Sequence, residues 1–213
     1  MFDEFLGGQI VEADTKIVML IMDGLGGLPR ELGGKTELET ASKPNMDALA
    51  LRSALGMTIP SGPGITVGSG PGHLSIFGFD PLEYQIGRGA LEALGVDFEL
   101  GPDDVAARGN FCVIDENGLL VDRRAGRLPT SESERLVQKL RAIKLEGAEV
   151  FVEVVKEHRF VLVLRAPGLG TSLTDSDPLV TGAAPLKVQA LDVSSERTAA
   201  LVNQFLQQAE VIL

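Results

Sequence analysis

The apolar positions of this chain change period partway along, and the elements they predict change with them. Residues 16–22 (KIVMLIM) run apolar without a break from Ile17 and are followed by Gly24, Gly26 and Gly27. That is the pattern of a short strand buried on both faces of a parallel or mixed sheet. A helix opens near Pro44 and carries Met46, Leu49 and Ala50; proline is favoured at the first helical position. A glycine-rich loop at 62–68 leads into a further helix capped by Ser69. After Gly95 the strand–helix alternation ends. The run NFCVID, then Asn117-Gly118, then LLVD predicts a hairpin. Ser131-Glu132-Ser133-Glu134 has capping-box spacing and opens a helix striped by Leu136, Leu140, Ile143 and Leu145. Residues 150–155 and 160–164 form a second strand pair. Ser194 or Ser195 caps a closing helix that turns Ala199, Leu201, Val202, Phe205 and Leu206 inward. The first part is therefore α/β, and the second an α+β unit.

Composition narrows the function classes. The 213 residues are 44% hydrophobic and 23% charged, with a net charge of −11, as expected of a folded chain of one or two domains. That charge argues against nucleic acid and against an anionic membrane surface, both of which need a positive footprint. An anionic ligand must then be drawn by a local cluster. The single Cys112 in NFCVI reads as a buried thiol in a reducing compartment. The start MFDEFLGG lacks the basic residues and long apolar core of a signal peptide, and no apolar run approaches 18 residues. The expected location is cytoplasmic.

The chemistry concentrates in GPGITVGSGPGHLSIFGFDPLEYQIGRGALEALG, residues 62–95. Gly68, Gly70 and Gly72 let backbone approach a small anion, and Ser69 places a hydroxyl among them at a helix start. The same tripeptide serves as ordinary turn chemistry elsewhere. Asp23 follows the apolar run, where ligand sites of open α/β sheets lie; it suits a divalent cation or a simple turn. The glycines of DGLGGLPRELGG do not follow G-x-G-x-x-G, which removes a dinucleotide fingerprint. Arg123, Arg124 and Arg127 lie at and beyond the end of one hairpin strand, with Arg108 at the start of its partner. Guanidinium groups so placed can hold carboxylate or phosphate in pairs of hydrogen bonds, or form a solvated edge. His158 reads as a turn residue, and Asp175 and Asp177 as arginine partners or turn caps.

These segments resemble the cofactor-independent phosphoglycerate mutases of the archaeal-type branch, within the alkaline phosphatase superfamily. The resemblance is carried by MDGLGG (22–27), GKTELETASKPNMDALA (34–50), GSGPGHLSIFGFDP (68–81), GRGALEALG (87–95), RGNFCVIDENGLLVDRRAGR (108–127), EHRFVLVLR (157–165) and TDSDP (174–178). Many archaeal members read S-D-T-A-H-L where this chain has Ser69-Gly70-Pro71-Gly72-His73-Leu74, which keeps serine and histidine at the same spacing.

The resemblance implies an alkaline-phosphatase-like α/β core, its N-terminal part at residues 1–99, with an inserted α+β substrate domain at 100–213. It implies interconversion of 3-phosphoglycerate and 2-phosphoglycerate through phosphoserine on Ser69, with no need for 2,3-bisphosphoglycerate. Asp122 would be the general acid/base. Arg123, Arg124, Arg108, His73, Arg127, His158 and Arg159 would bind substrate, and the roles within 122–124 stay open. Asp23 and Ser69 would contact two divalent ions of manganese, zinc or magnesium, although each ion needs three or more protein ligands. The partner is a small phosphorylated three-carbon acid, with no nucleic acid and no membrane; a homo-oligomer remains open. Family members are about twice this long, and the chain stops at 209–213 (AEVIL) without a helix stop signal, so it reads as an N-terminal portion, inactive alone. Two rival readings are another metal-dependent phosphomutase or phosphomonoesterase, and a non-catalytic half that binds an anion or a partner chain.

Overall fold

The computed structural model describes residues 5, 7–22, 24–65 and 68–213, with Ser69 described by its backbone alone. The chain divides into two compact units, Met1–Met57 and Thr58–Leu213.

In the first unit, helix α1 (Glu37–Thr40) begins with a full capping box: the Thr36 side chain accepts from Glu39 N while the Glu39 carboxylate accepts from Thr36 N. Helix α2 (Pro44–Ala50) opens on its proline as expected. The strand expected at 16–22 does not form. Ile17 is 94% and Val18 89% exposed, and among the described residues the run pairs with no strand. An isolated strand leaves both its backbone groups and its apolar faces to water, so periodicity cannot hold it without neighbours.

The second unit is a three-layer arrangement. Strands β1 (Asp104–Asn110), β4 (Glu149–Val154) and β5 (Arg159–Arg165) form an antiparallel sheet in the order β1-β5-β4. Strand β5, RFVLVLR, is buried along its apolar length because both faces are covered. Phe160, Leu162 and Leu164 pack with Val137, Leu140, Leu201 and Phe205 of helices α5 (Thr130–Leu140) and α6 (Glu196–Ile212). Val161 and Val163 pack on the opposite face with Ala93 of helix α4 (Arg88–Gly95). Helix α3 (Ser69–Ile76) adjoins α4: a Cβ at Gly70 would sit 2.8 Å from Leu91 Cδ1 and 3.4 Å from the Ile86 carbonyl. A separate ladder of β2 (Val113–Ile114) and β3 (Leu120–Asp122) is the predicted Asn-Gly hairpin, turned by Gly118 at φ +74°.

Local structure departs from the sequence reading at several points, and helix α5 ends at Leu140, short of Ile143 and Leu145. Arg108 is not on the hairpin; it lies in β1, opposite Val161. Helix α5 starts at Thr130, so Ser131 sits inside it, and Ser133 turns inward to donate to the Glu157 carbonyl instead of serving a capping box. Ser195 stands before α6 but makes no side-chain cap; Asp192 accepts from Ser195 N at 2.9 Å, and Ser195 Oγ accepts from Ser172 N. Cys112 reaches the surface rather than the core, although partial desolvation, then Asp177 and Asp122, raise its thiol pKa and keep it protonated.

Candidate functional site

Helix α3 begins at Ser69, with Gly68 as its N-cap in extended conformation and no side chain capping it. Ser69 is thus the first helical residue, not the cap expected. His73 lies one turn further on and is exposed. Asp23, the other expected metal contact, lies outside the described residues. Among the described residues no three of His, Cys, Asp and Glu converge to hold a metal ion.

The arginines gather at one end of the sheet. In register, Asn110 at the end of β1 faces Arg159 at the start of β5, and Arg108 lies two residues back on the same face. Helix α4 lies on this face. Gly89 makes that approach possible, since a Cβ there would collide with the Ala106 carbonyl and the Ala107 nitrogen. Arg108 is thereby brought 3.9 Å from Glu92. Burial lowers the Arg108 pKa, and the positive charge of Arg88 lowers it further.

After β3, the backbone folds into a tight left-handed passage with Ala125 at φ 45°, Gly126 at 62° and Arg127 at 53°. Non-glycine residues adopt this region at a cost and need fixed partners to stay there. Asp122 supplies them: its carboxylate accepts from Arg124 N at 2.7 Å and Gly126 N at 2.6 Å. Those two bonds hold its pKa below the usual carboxylate range, so it is ionised at neutral pH.

The arginines now separate into two kinds. Arg123 is held by both oxygens of Asp177 at 2.8 and 2.6 Å, and Arg127 by Glu157 at 3.0 Å. Arg124, Arg159 and Arg88 have no carboxylate within ion-pair reach among the described residues. Asp177 also accepts from Leu179 N, so it both orients an arginine and caps a turn. His158, only 3% exposed, sits between the groups with its Nδ1 4.0 Å from Glu157 and no hydrogen-bond partner among the described residues. Burial first, then the charge of Arg159, lowers its pKa, so the imidazole is neutral. The turn bearing it is fixed by Glu157 N donating to Thr130 Oγ1 at 3.1 Å and by Phe111 N donating to the His158 carbonyl at 2.8 Å.

The motif reading missed Glu157, which restrains Arg127, and Arg88 with Glu92. Their only signal was the i,i+4 spacing of Arg88 and Glu92 within GRGALE, which puts both on one helix face.

The profile of the 2,3-bisphosphoglycerate-independent phosphoglycerate mutase family matches residues 50–213. The chain belongs to that family. A mutase of this kind, named as probable, from Thermus thermophilus is 52% identical over 93% of this chain and 50% of its own length. Similarly named mutases from Deinococcus radiodurans and Thermotoga maritima are 50% and 48% identical, over 97% and 100% of this chain and 52% and 53% of theirs. The solved cofactor-independent phosphoglycerate mutase of Thermoplasma acidophilum aligns with a TM-score of 0.57 at 38% identity, over 67% of this chain and 38% of that one. The PH0037 protein of Pyrococcus horikoshii aligns with a TM-score of 0.61 at 32% identity, over 90% and 42%. The chain thus spans about half the length of the curated mutases it matches. No helix among the described residues is long and apolar enough to cross a membrane.

Proposed function

We propose that this chain supplies the nucleophile and the substrate-gripping arginines of a cytoplasmic phosphoglycerate mutase that interconverts 3-phosphoglycerate and 2-phosphoglycerate. The observation that carries the reading is the gathering of Arg124, Arg127 and Arg159 around a neutral His158, with Arg108 near Arg159, in a family member whose net charge is −11. In this reading residues 1–99 begin an alkaline-phosphatase-like core and residues 100–213 form its inserted substrate domain.

Ser69 would take the phosphoryl group and return it to the neighbouring hydroxyl, so that no bisphosphoglycerate primer is needed. Asp122, ionised, would accept a proton from a glycerate hydroxyl in one half-reaction and give it back in the other. Arg124, with Arg108, Arg127 and Arg159, would hold the substrate's carboxylate and phosphate, and Arg123 would fix the loop through Asp177. His73 and the neutral His158 would bind substrate without adding charge. Divalent manganese, zinc or magnesium, which the family resemblance implies, would neutralise phosphoryl charge with Asp23 and Ser69 among its contacts.

The test is a chimera in which residues 1–213 replace the aligned half of the Thermus thermophilus relative. A folded chimera that turns 3-phosphoglycerate into 2-phosphoglycerate, and loses at least about 1,000-fold in rate on Ser69→Ala, supports the proposal, since a lost covalent nucleophile removes most of the catalysed rate. Release of inorganic phosphate in place of isomerisation would make it a phosphomonoesterase. Full turnover by Ser69→Ala would remove the serine from the mechanism.

A further inference from the structure

Three arginines on two strands and a helix converge without a tight carboxylate partner, and one of them, in the segment GRGALEALG, has been given no role above. Arg88 is the first residue of α4. Its helix touches two neighbours at close range: β1, through Gly89 against the Ala106–Ala107 backbone, and α3, through Leu91 and Ile86 against Gly70. Arg88 therefore opens the helix that packs against both the serine-bearing helix and the arginine-bearing strand. Its charge is felt by Arg108, as is that of Arg159.

Like charges brought together cost free energy unless an anion joins them, and here the carboxylates present compensate only loosely. Glu92 reaches Arg108 at 3.9 Å, and Asp175 acts on it from further off. By contrast Arg123, Arg127 and Arg165 are each closed off by a partner at 2.6 to 3.0 Å. Asn110 adds a second sign. Its Oδ1 is buried with no partner among the described residues, on the face of β1 that carries Arg108 and directly opposite Arg159. An amide so placed suits a hydroxyl, which both donates and accepts.

Resting on the mutase reading, we propose that Arg88 is a further substrate-binding residue, which with Arg108 and Arg159 grips the phosphoryl group of the three-carbon acid beside the start of α3, while Asn110 meets its hydroxyl. The phosphoryl rather than the carboxylate falls here because α3 begins with the serine that would receive it. A guanidinium fork matches phosphate oxygens in pairs, which an ammonium does not.

The experiment is an amide NMR titration of the 213-residue chain with inorganic phosphate, D-glycerate and 3-phosphoglycerate, repeated for Arg88→Gln and Arg88→Lys. Phosphate and 3-phosphoglycerate should shift the amides of residues 87–89, 108, 110 and 159, and glycerate should leave 87–89 in place. Arg88→Gln should weaken phosphate binding about tenfold, and Arg88→Lys, which keeps the charge and the fold, by at least about threefold. Unmoved amides at 87–89 with every phosphate, or parental affinity in both variants, would overturn the assignment. Tight 3-phosphoglycerate binding with shifts confined to residues 122–127 would overturn it too, while leaving the mutase reading in place. Conversely, shifts at 87–89 with 3-phosphoglycerate bound no better than phosphate would support the site and count against the mutase reading.

Discussion

Residues of one type carry different jobs here, and their partners decide which. Arg123 and Arg124 are adjacent, yet Arg123 is spent on Asp177 while Arg124 is exposed without a carboxylate. Arg123→Ala should lower the melting temperature by about 2–4 °C, because it frees the loop and leaves Asp177 unpaired, whereas Arg124→Ala should move it by less than about 1 °C and act on ligand binding alone. Equal melting curves for the two variants would undo this division. His158 gives a pH signature. Its folded pKa lies below its unfolded value near 6.5, so above that pH it costs nothing; as pH falls below it, the unfolded chain takes up a proton that the folded imidazole resists. Stability should then drop by up to about 1.4 kcal/mol per pH unit until the folded histidine titrates as well. Asp104 and Asp177 shift in the same direction but act over a lower pH range: their salt bridges lower their folded pKa values, so they support the fold above the unfolded carboxylate range and fail only as pH falls through still lower values. Urea melts at about pH 7 and about pH 5.5 isolate the histidine, and His158→Gln should lose most of the parental difference.

At the scale of elements, close packing of a helix on a strand sets the site. Gly89→Ala would drive a methyl group into the Ala106 carbonyl, so α4 must move off β1. Overpacking of this kind costs about 1–3 kcal/mol, and the shift should also weaken phosphate binding by carrying Arg88 away from Arg108; a fully stable Gly89→Ala chain with parental binding would mean the helix sits elsewhere. None of this was legible in GRGALEALG beyond its helical period. What was legible had local causes: the Asn-Gly hairpin, the proline opening α2, the apolar runs of β4 and β5, and the inward stripe of α6. Capping was read less well, because Ser131 and Ser195 carry the right chemistry while Asp192 and the inward-turned Ser133 won the geometry through contacts distant in sequence. Arg108 was placed on the hairpin for the same reason: strand pairing across about 50 residues leaves no mark on local pattern.

For the whole molecule, the two units differ in what holds them. Among the described residues the buried hydrophobic core lies in the second unit, running from Ala93 to Ala209. Removing Met1–Met57 should therefore leave the melting temperature of Thr58–Leu213 within about 2 °C of the parent, as measured by circular dichroism, whereas a large loss would reveal support that neither unit shows by itself. The strand expected at 16–22 is absent although the run is as apolar as a buried strand, because periodicity states what a segment needs and not whether its neighbours are at hand. The exposure of Ile17, Val18 and Leu20 has a calorimetric consequence. Heat capacity rises on unfolding because apolar surface becomes hydrated, and side chains already in water add almost nothing to that rise. At the usual increment per residue, the full chain would show about 3 kcal/mol/K, yet a chain in which only the second unit has surface left to expose should show about 2 kcal/mol/K, and its stability curve should be correspondingly flat.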